Sequence, residues 1–164
     1  MSDRPLTERE HEILSFLLTA PGIPDVDILR QQAAVATGVG CECGCATVGL
    51  NVDPSAAPQA SPDIRRDLVE TTTDDIARVH RAQPLRFFGD DGETVDPQRT
   101  PTAGDLEGYI GLILWTTGDG WLDSIEMHLV GNFERPATFP PAEVFDAPSV
   151  SPGPRAWNPY TDEP

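Results

Sequence analysis

Three cysteines within five residues are the part of this sequence best suited to chemistry. Cys41, Cys43 and Cys45 alternate with Glu42 and Gly44. Deprotonated thiols bind soft metal ions and also act as nucleophiles, so the cluster suits two different kinds of site. The chain holds only these 3 cysteines, and any further metal ligand must therefore come from another residue type.

The spacing of the cluster argues against a simple metal site. On an extended strand alternate side chains share a face, which places neighbouring sulfurs roughly 7 Å apart, too far for one tetrahedral ion. Gly40 and Gly44 could fold the backbone tightly enough to bring the thiols together. A zinc ion would then still need a fourth ligand, for which three histidines are available: His11, His80 and His128. We therefore expect no bound cofactor and cysteines that pack as small side chains where strands cross tightly. Zinc bound by the three cysteines is the alternative.

A nucleophilic cysteine is a third interpretation of the same cluster. The nucleophile is the thiolate, which forms at neutral pH when a cation, a histidine or a helix N-terminus lowers the thiol pKa. Glu42 lies within the cluster and the chain has a net charge of −16, and both oppose ionisation of a thiol. We predict no catalytic residues, and an enzyme whose site the sequence does not reveal is the second alternative.

The charge balance excludes several functions. The 164 residues include 27 Asp and Glu but only 11 basic residues, all of them Arg. Without lysine the chain cannot supply the amine of a phosphate-binding loop or of a Schiff base. A net charge of −16 also repels nucleic acids and anionic membranes. We therefore predict a non-catalytic acidic interaction protein, of the inhibitor, immunity-type or adaptor kind, that binds a basic protein partner.

Two helices are predicted near the N-terminus. Thr7 and Glu10 have the spacing of a capping box, and the apolar residues that follow recur at helical intervals. A second, shorter helix is predicted from about Asp25 to Ala34. We expect this helical pair to pack on one face of a sheet.

Two β-hairpins are predicted from alternating apolar residues. The first spans Val35–Val52, with the cysteine cluster at its break. The second joins the apolar run Tyr109–Thr117 to the alternating residues Trp121–Val130. Between the hairpins, four apolar residues are spaced as in short helices: Ile64, Leu68, Ile76 and Val79. The predicted fold class is α+β, with the helical pair packed on an antiparallel sheet of about four to six strands.

Two segments carry a family resemblance. Val39–Val52, with its Cys-x-Cys-Gly-Cys centre, and Gly111–Gly131, with Gly120-Trp121-Leu122 before Ile125-Glu126, resemble small proteins of unknown function from high-GC bacteria. Those proteins combine a cysteine-rich strand, a Gly-x-Leu-x-x-Leu-Glu strand and a proline-rich end. The resemblance implies the fold with two hairpins and implies no activity, cofactor or site residue.

Proline and glycine content sets the predicted domain boundaries. We expect residues 1–146 to form a single domain in which 54–105 is a loop-rich insertion, and the proline-rich residues 147–164 to be a disordered tail. Trp157 and Tyr160 of this tail are predicted to anchor the basic partner, because large aromatic side chains lose few rotamers on binding. The alternative is that Trp157 folds back and covers an apolar patch or a sheet edge of its own domain. The N-terminus shows no signal-peptide pattern, so we expect a cytoplasmic protein.

Overall fold

In a computed structural model, residues 2–62, 64, 66–96 and 98–151 fold into helices packed on one antiparallel sheet. In chain order the elements are β1 Arg4–Pro5, α1 Glu8–Leu17, α2 Val26–Val35, β2 Thr37–Gly40, β3 Val48–Asn51, β4 Asp67–Thr73, α3 Ile76–Ala82, β5 Gly108–Thr116, β6 Leu122–Gly131, a 3₁₀ helix at Ala142–Val144 and β7 Ser149–Val150. The predicted α+β fold class is confirmed.

The N-terminal helix begins with the predicted capping box. The Thr7 hydroxyl accepts a hydrogen bond from Glu10 N at 3.2 Å, and the Glu10 carboxylate accepts one from Thr7 N at 2.8 Å. Ile13, Leu14 and Leu17 of this helix are buried in the core. The second helix follows nearly the predicted bounds. None of the helices in the described ranges is long and apolar enough to span a membrane.

The strand order of the sheet is β1-β2-β3-β6-β5-β4-β7, and every neighbouring pair is antiparallel. β5 and β6, the second predicted hairpin, pair along 9 residue pairs. β3 and β6 share only 2 pairs, Val48–Ile125 and Gly49–Ser124. We call these two pairs the seam, because they join the β1–β3 part of the sheet to the β4–β7 part.

The two faces of the sheet differ in what covers them. On β5 the even-numbered side chains Ile110, Leu112 and Leu114 are fully buried in the same core cluster as the helix residues. Side chains alternate along a strand, so the odd-numbered ones point to the opposite face. The strand register places on that face side chains that are all half-buried or exposed: Glu70, Thr72, Tyr109, Ile113, Trp115, Ser124, Glu126, His128 and Val130. We call it the open face.

The sheet contains more strands than predicted. It has 7 strands instead of four to six, and a third helix joins the predicted pair. The segment around Leu68, predicted to be helical, is strand β4. Thr71 and Thr73 of this strand are buried on the core face, where an alternating pattern is usually recognised from apolar residues. β4 and α3 both lie within 54–105 and contribute to the core.

The predicted tail contributes to the sheet at its start. Ser149 and Val150 form β7, which pairs with β4. The prediction of disorder is therefore wrong for these two residues, because their backbone is held in the sheet. Residues 152–164, with the predicted partner-binding residues Trp157 and Tyr160, lie outside the described residues.

Candidate metal centre

The three cysteines lie in residues 41–47, the connection between β2 and β3, which we call the cysteine turn. Cys41 N donates a hydrogen bond to Thr47 O at 3.2 Å, and Gly44 N donates one to Cys41 O at 3.0 Å. Gly44 has a φ of +78°, a left-handed conformation that glycine adopts without the steric cost of a side chain. The backbone therefore reverses direction within the cysteine cluster.

The reversal brings the thiol groups together. Cys43 Sγ lies 2.8 Å from the Sγ atoms of both Cys41 and Cys45, and the three sulfurs lie within 4.8 Å of one another. All three are free thiols; Cys43 is exposed and the other two are half-buried. Among the described residues, they are the one group of three or more His, Cys, Asp or Glu side chains close enough to hold an ion.

This placement differs from the preferred sequence interpretation. The cysteines were expected to pack as small side chains at a tight strand crossing, but they lie in a turn beyond the ends of both strands. An exposed Cys43 is not packed in a core. The expected spacing of roughly 7 Å between sulfurs applies to an extended strand. It does not apply here, because the backbone turns at Gly44.

The sulfur positions fit a thiophilic metal ion after small side-chain movements. Metal–sulfur bonds are about 2.3 Å long, so a tetrahedral ion holds its sulfurs about 3.8 Å apart. Each of the two 2.8 Å sulfur distances then has to lengthen by about 1 Å. Rotation about the Cα–Cβ bonds provides this movement, since none of the three side chains is fully buried. Thiolates are suited to zinc and to Cu(I).

No histidine completes a four-ligand set with the described cysteines. His11 is exposed on α1, His80 accepts a hydrogen bond from the backbone of Leu85 at 2.9 Å, and His128 packs edge-on against Tyr109. None of the three belongs to the thiol group. The same finding leaves a nucleophilic cysteine without a histidine as its base among the described residues.

A cavity of about 760 Å³ borders the cysteine turn at Ala46. Its two arginines are already paired: Arg4 binds both carboxylate oxygens of Glu10 at 2.7 Å, and Arg9 pairs with Glu12 at 2.8 Å. The first pair links β1 to α1, and the second lies within α1. The charged groups that line the cavity therefore have a structural role.

In a different loop, between Phe88 and Leu106, an arginine and an aspartate pair with each other. The buried Asp105 carboxylate accepts hydrogen bonds from Arg99 at 2.7 and 3.1 Å, from Thr102 N at 2.7 Å and from Asn132 Nδ2 at 2.8 Å. The Arg99 guanidinium, followed by these other donors, holds the pKa of Asp105 well below its usual range. We call this the Asp105 loop. Its signal in the sequence is the Thr-x-x-Asp spacing of a capping motif from Thr102 to Asp105, which was not among the predicted features.

Comparison with known proteins was made against family models, curated proteins and solved structures, and none of the three found a match. The resemblance carried by the two hairpin segments therefore stays a prediction. The functional argument rests on the geometry of the site itself.

Proposed function

We propose that this protein binds one thiophilic metal ion through the thiolates of Cys41, Cys43 and Cys45. The observation that supports the proposal is the convergence of three sulfurs within 4.8 Å in a surface turn. Three ionised thiols at this distance repel one another, and a cation between them removes that repulsion. Binding would therefore release the thiol protons and order the turn at the same time.

Three protein ligands and one open position favour an exchangeable ion over a structural one. Structural zinc sites are usually closed by four protein ligands, whereas sites with an open position accept water or another molecule. Cu(I) and Zn²⁺ both suit thiolate ligands. In either case the exposed Cys43 is the side from which the ion would enter and leave.

Metal titration of the anaerobically reduced protein tests the proposal. We expect one Zn²⁺ or Cu(I) ion per chain after desalting, measured by mass spectrometry of the metal, and a loss of affinity of at least about tenfold in Cys43→Ser. Glu42→Gln is the matched control, because it changes the same turn without removing a sulfur. Less than about a tenth of an ion per chain with both metals, or equal binding by Cys43→Ser, would contradict the proposal.

The acidic interaction protein predicted from the charge is a separate function. Metal binding at the cysteine turn neither requires nor excludes a basic partner, because a partner would be attracted by carboxylates spread over other surfaces. The alternative of an enzyme with an unrecognised site stays a prediction without a described histidine beside the thiols to support it.

A further inference from the structure

Large apolar side chains follow one another along β5 on the open face. Tyr109, Ile113 and Trp115 occupy odd-numbered positions of this strand, and Val130 lies opposite Tyr109 on β6. Tyr109 is 38% exposed and Val130 is 56% exposed. None of these four side chains belongs to the core cluster or packs against it. The open face therefore presents an apolar row that is interrupted at Gly111, where the His128 ring lies against the strand, and the Nε1 atom of Trp115 is buried.

Carboxylates lie on both sides of this row. The strand register places Glu126 of β6 and Glu70 of β4 on either side of Ile113. Neither carboxylate forms an ion pair with a described residue. The strands β2 to β7 contain no arginine and the chain has no lysine, so His128 of β6 is the one basic side chain in these strands. The apolar row is consequently bordered by uncompensated negative charge.

We propose that the open face docks a basic protein segment that presents apolar side chains between its cations. The apolar groups would contact Tyr109, Ile113 and Trp115, and the cations would reach Glu70 and Glu126. Such a partner would neutralise part of the net charge of −16 on association. This surface lies on β4, β5 and β6 and does not depend on the proposed metal site.

Charge selects this occupant over two others. A second copy of the chain would place the same glutamates against each other, with a net charge of −16 on each protomer. The chain's own residues 152–164 contain one arginine against two acidic residues, so they bring no excess of positive charge. Only a cationic partner matches both the apolar row and the carboxylates beside it.

Fluorescence anisotropy of a labelled peptide of alternating Leu and Lys tests the proposal, with an alternating Leu and Glu peptide of equal length as the charge control. The full chain should bind the basic peptide and not the acidic one. We expect Glu70→Gln/Glu126→Gln to weaken binding about tenfold and to reduce its salt dependence. The matched pair Glu8→Gln/Glu143→Gln removes two exposed charges elsewhere and should change the affinity less than about twofold.

A second variant tests the apolar row. Ile113→Thr keeps a β-branched side chain on the strand but loses apolar area, and it should weaken peptide binding while the circular dichroism spectrum is preserved. Equal losses in the two Glu→Gln pairs would overturn the proposal in favour of unspecific charge attraction. If Trp157→Ala/Tyr160→Ala binds the basic peptide more tightly, the chain's own C-terminal residues occupy the open face. If the chain forms a concentration-dependent dimer in analytical ultracentrifugation, a second copy occupies it. Either result would overturn the proposal.

Discussion

The cysteine turn and the Asp105 loop are two connections that carry reactive side chains, and they use them in opposite ways. In the Asp105 loop both carboxylate oxygens are occupied by donors from Arg99, Thr102 and Asn132. In the cysteine turn the reactive atoms meet only one another, apart from a 3.4 Å contact from Cys45 N to Cys43 Sγ. In one loop the carboxylate has a full set of donors, and in the other three thiols contact one another.

The difference separates a structural network from a candidate site. A buried carboxylate with a full set of donors stabilises the fold and has no capacity left for a ligand. Thiols that converge at the surface gain little from each other in the absence of a cation. The loop whose reactive atoms have few other partners is therefore the candidate site.

Removing the carboxylate of the Asp105 loop should have the largest effect. Asp105→Ala leaves the Arg99 guanidinium without its ion-pair partner, and we expect the melting temperature to fall by roughly 5–10 °C. Thermal unfolding followed by circular dichroism measures the change, with Asp90→Ala as an exposed control. The amount of metal bound should be the same as in the wild type. A shift as small as that of the control would show that the loop is not a stabilising network.

Metal bound at the cysteine turn should stabilise the folded protein. At a free metal concentration of about 100 times Kd, binding to the folded state raises the free energy of unfolding by about 2.7 kcal/mol. Melting curves with and without Zn²⁺ measure this increment. It should be absent in Cys43→Ser and preserved in Asp105→Ala, because the two loops share no ligand atom. An increment that survives in Cys43→Ser would place the ion elsewhere.

Acid should loosen the Asp105 loop. Hydrogen bonds from Arg99 lower the pKa of Asp105. Burial acts to raise the pKa of Glu10, but the hydrogen bonds from Arg4 and Thr7 outweigh it, and the net effect is a lowered pKa. Both carboxyls thus stabilise the fold above their unfolded pKa of about 4, and this contribution is lost as the pH falls through the lower folded pKa. We expect the melting temperature to drop by a few degrees between about pH 4.5 and pH 2.5. In Asp105→Ala the drop should be smaller, and an unchanged slope would contradict the assignment.

The smallest effect is expected for the metal-free cysteine turn. Cys43 is exposed and packs against no core residue, so Cys43→Ser should change the melting temperature of the metal-free protein by less than about 2 °C. Differential scanning calorimetry in the presence of a chelator and a reductant measures it. A larger decrease would mean that the thiols support the turn by packing, as the sequence interpretation had it.

Local rules account for the parts of the fold that were predicted correctly. The Thr7–Glu10 capping box and the β5–β6 hairpin each depend on residues close together in sequence. β4 was not recognised, because its pairing partner β5 lies far along the chain and two of its core-facing residues are Thr71 and Thr73. β7 was missed for a related reason: two residues make a strand only because β4 is beside them.

The candidate site was predicted in composition but not in geometry. The cysteines and the importance of Gly40 and Gly44 follow from the sequence, but the 2.8 Å sulfur distances depend on the actual turn conformation at Gly44. The positions of the histidines depend on α1, α3 and β6 and could not be derived from spacing. The open face required the strand register, since exchanging odd and even positions would move every apolar side chain of β5 to the other side.

The seam divides the sheet into two parts that should open independently. Only 2 residue pairs connect β3 to β6, whereas β5 and β6 are held by 9. Amide protons of β1 to β3 should therefore exchange with solvent before those of β5 and β6, as expected for two cooperative units of different stability. The cysteine turn connects two strands of the smaller unit, and two hydrogen bonds of 3.0 Å also tie it to the larger side, from Met127 N to Thr47 Oγ1 and from Ala46 N to Pro136 O. The apolar row lies on the larger unit. Metal binding is thus expected to slow exchange most in β2 and β3, which flank the cysteine turn, and less in β5, which pairs with neither of them.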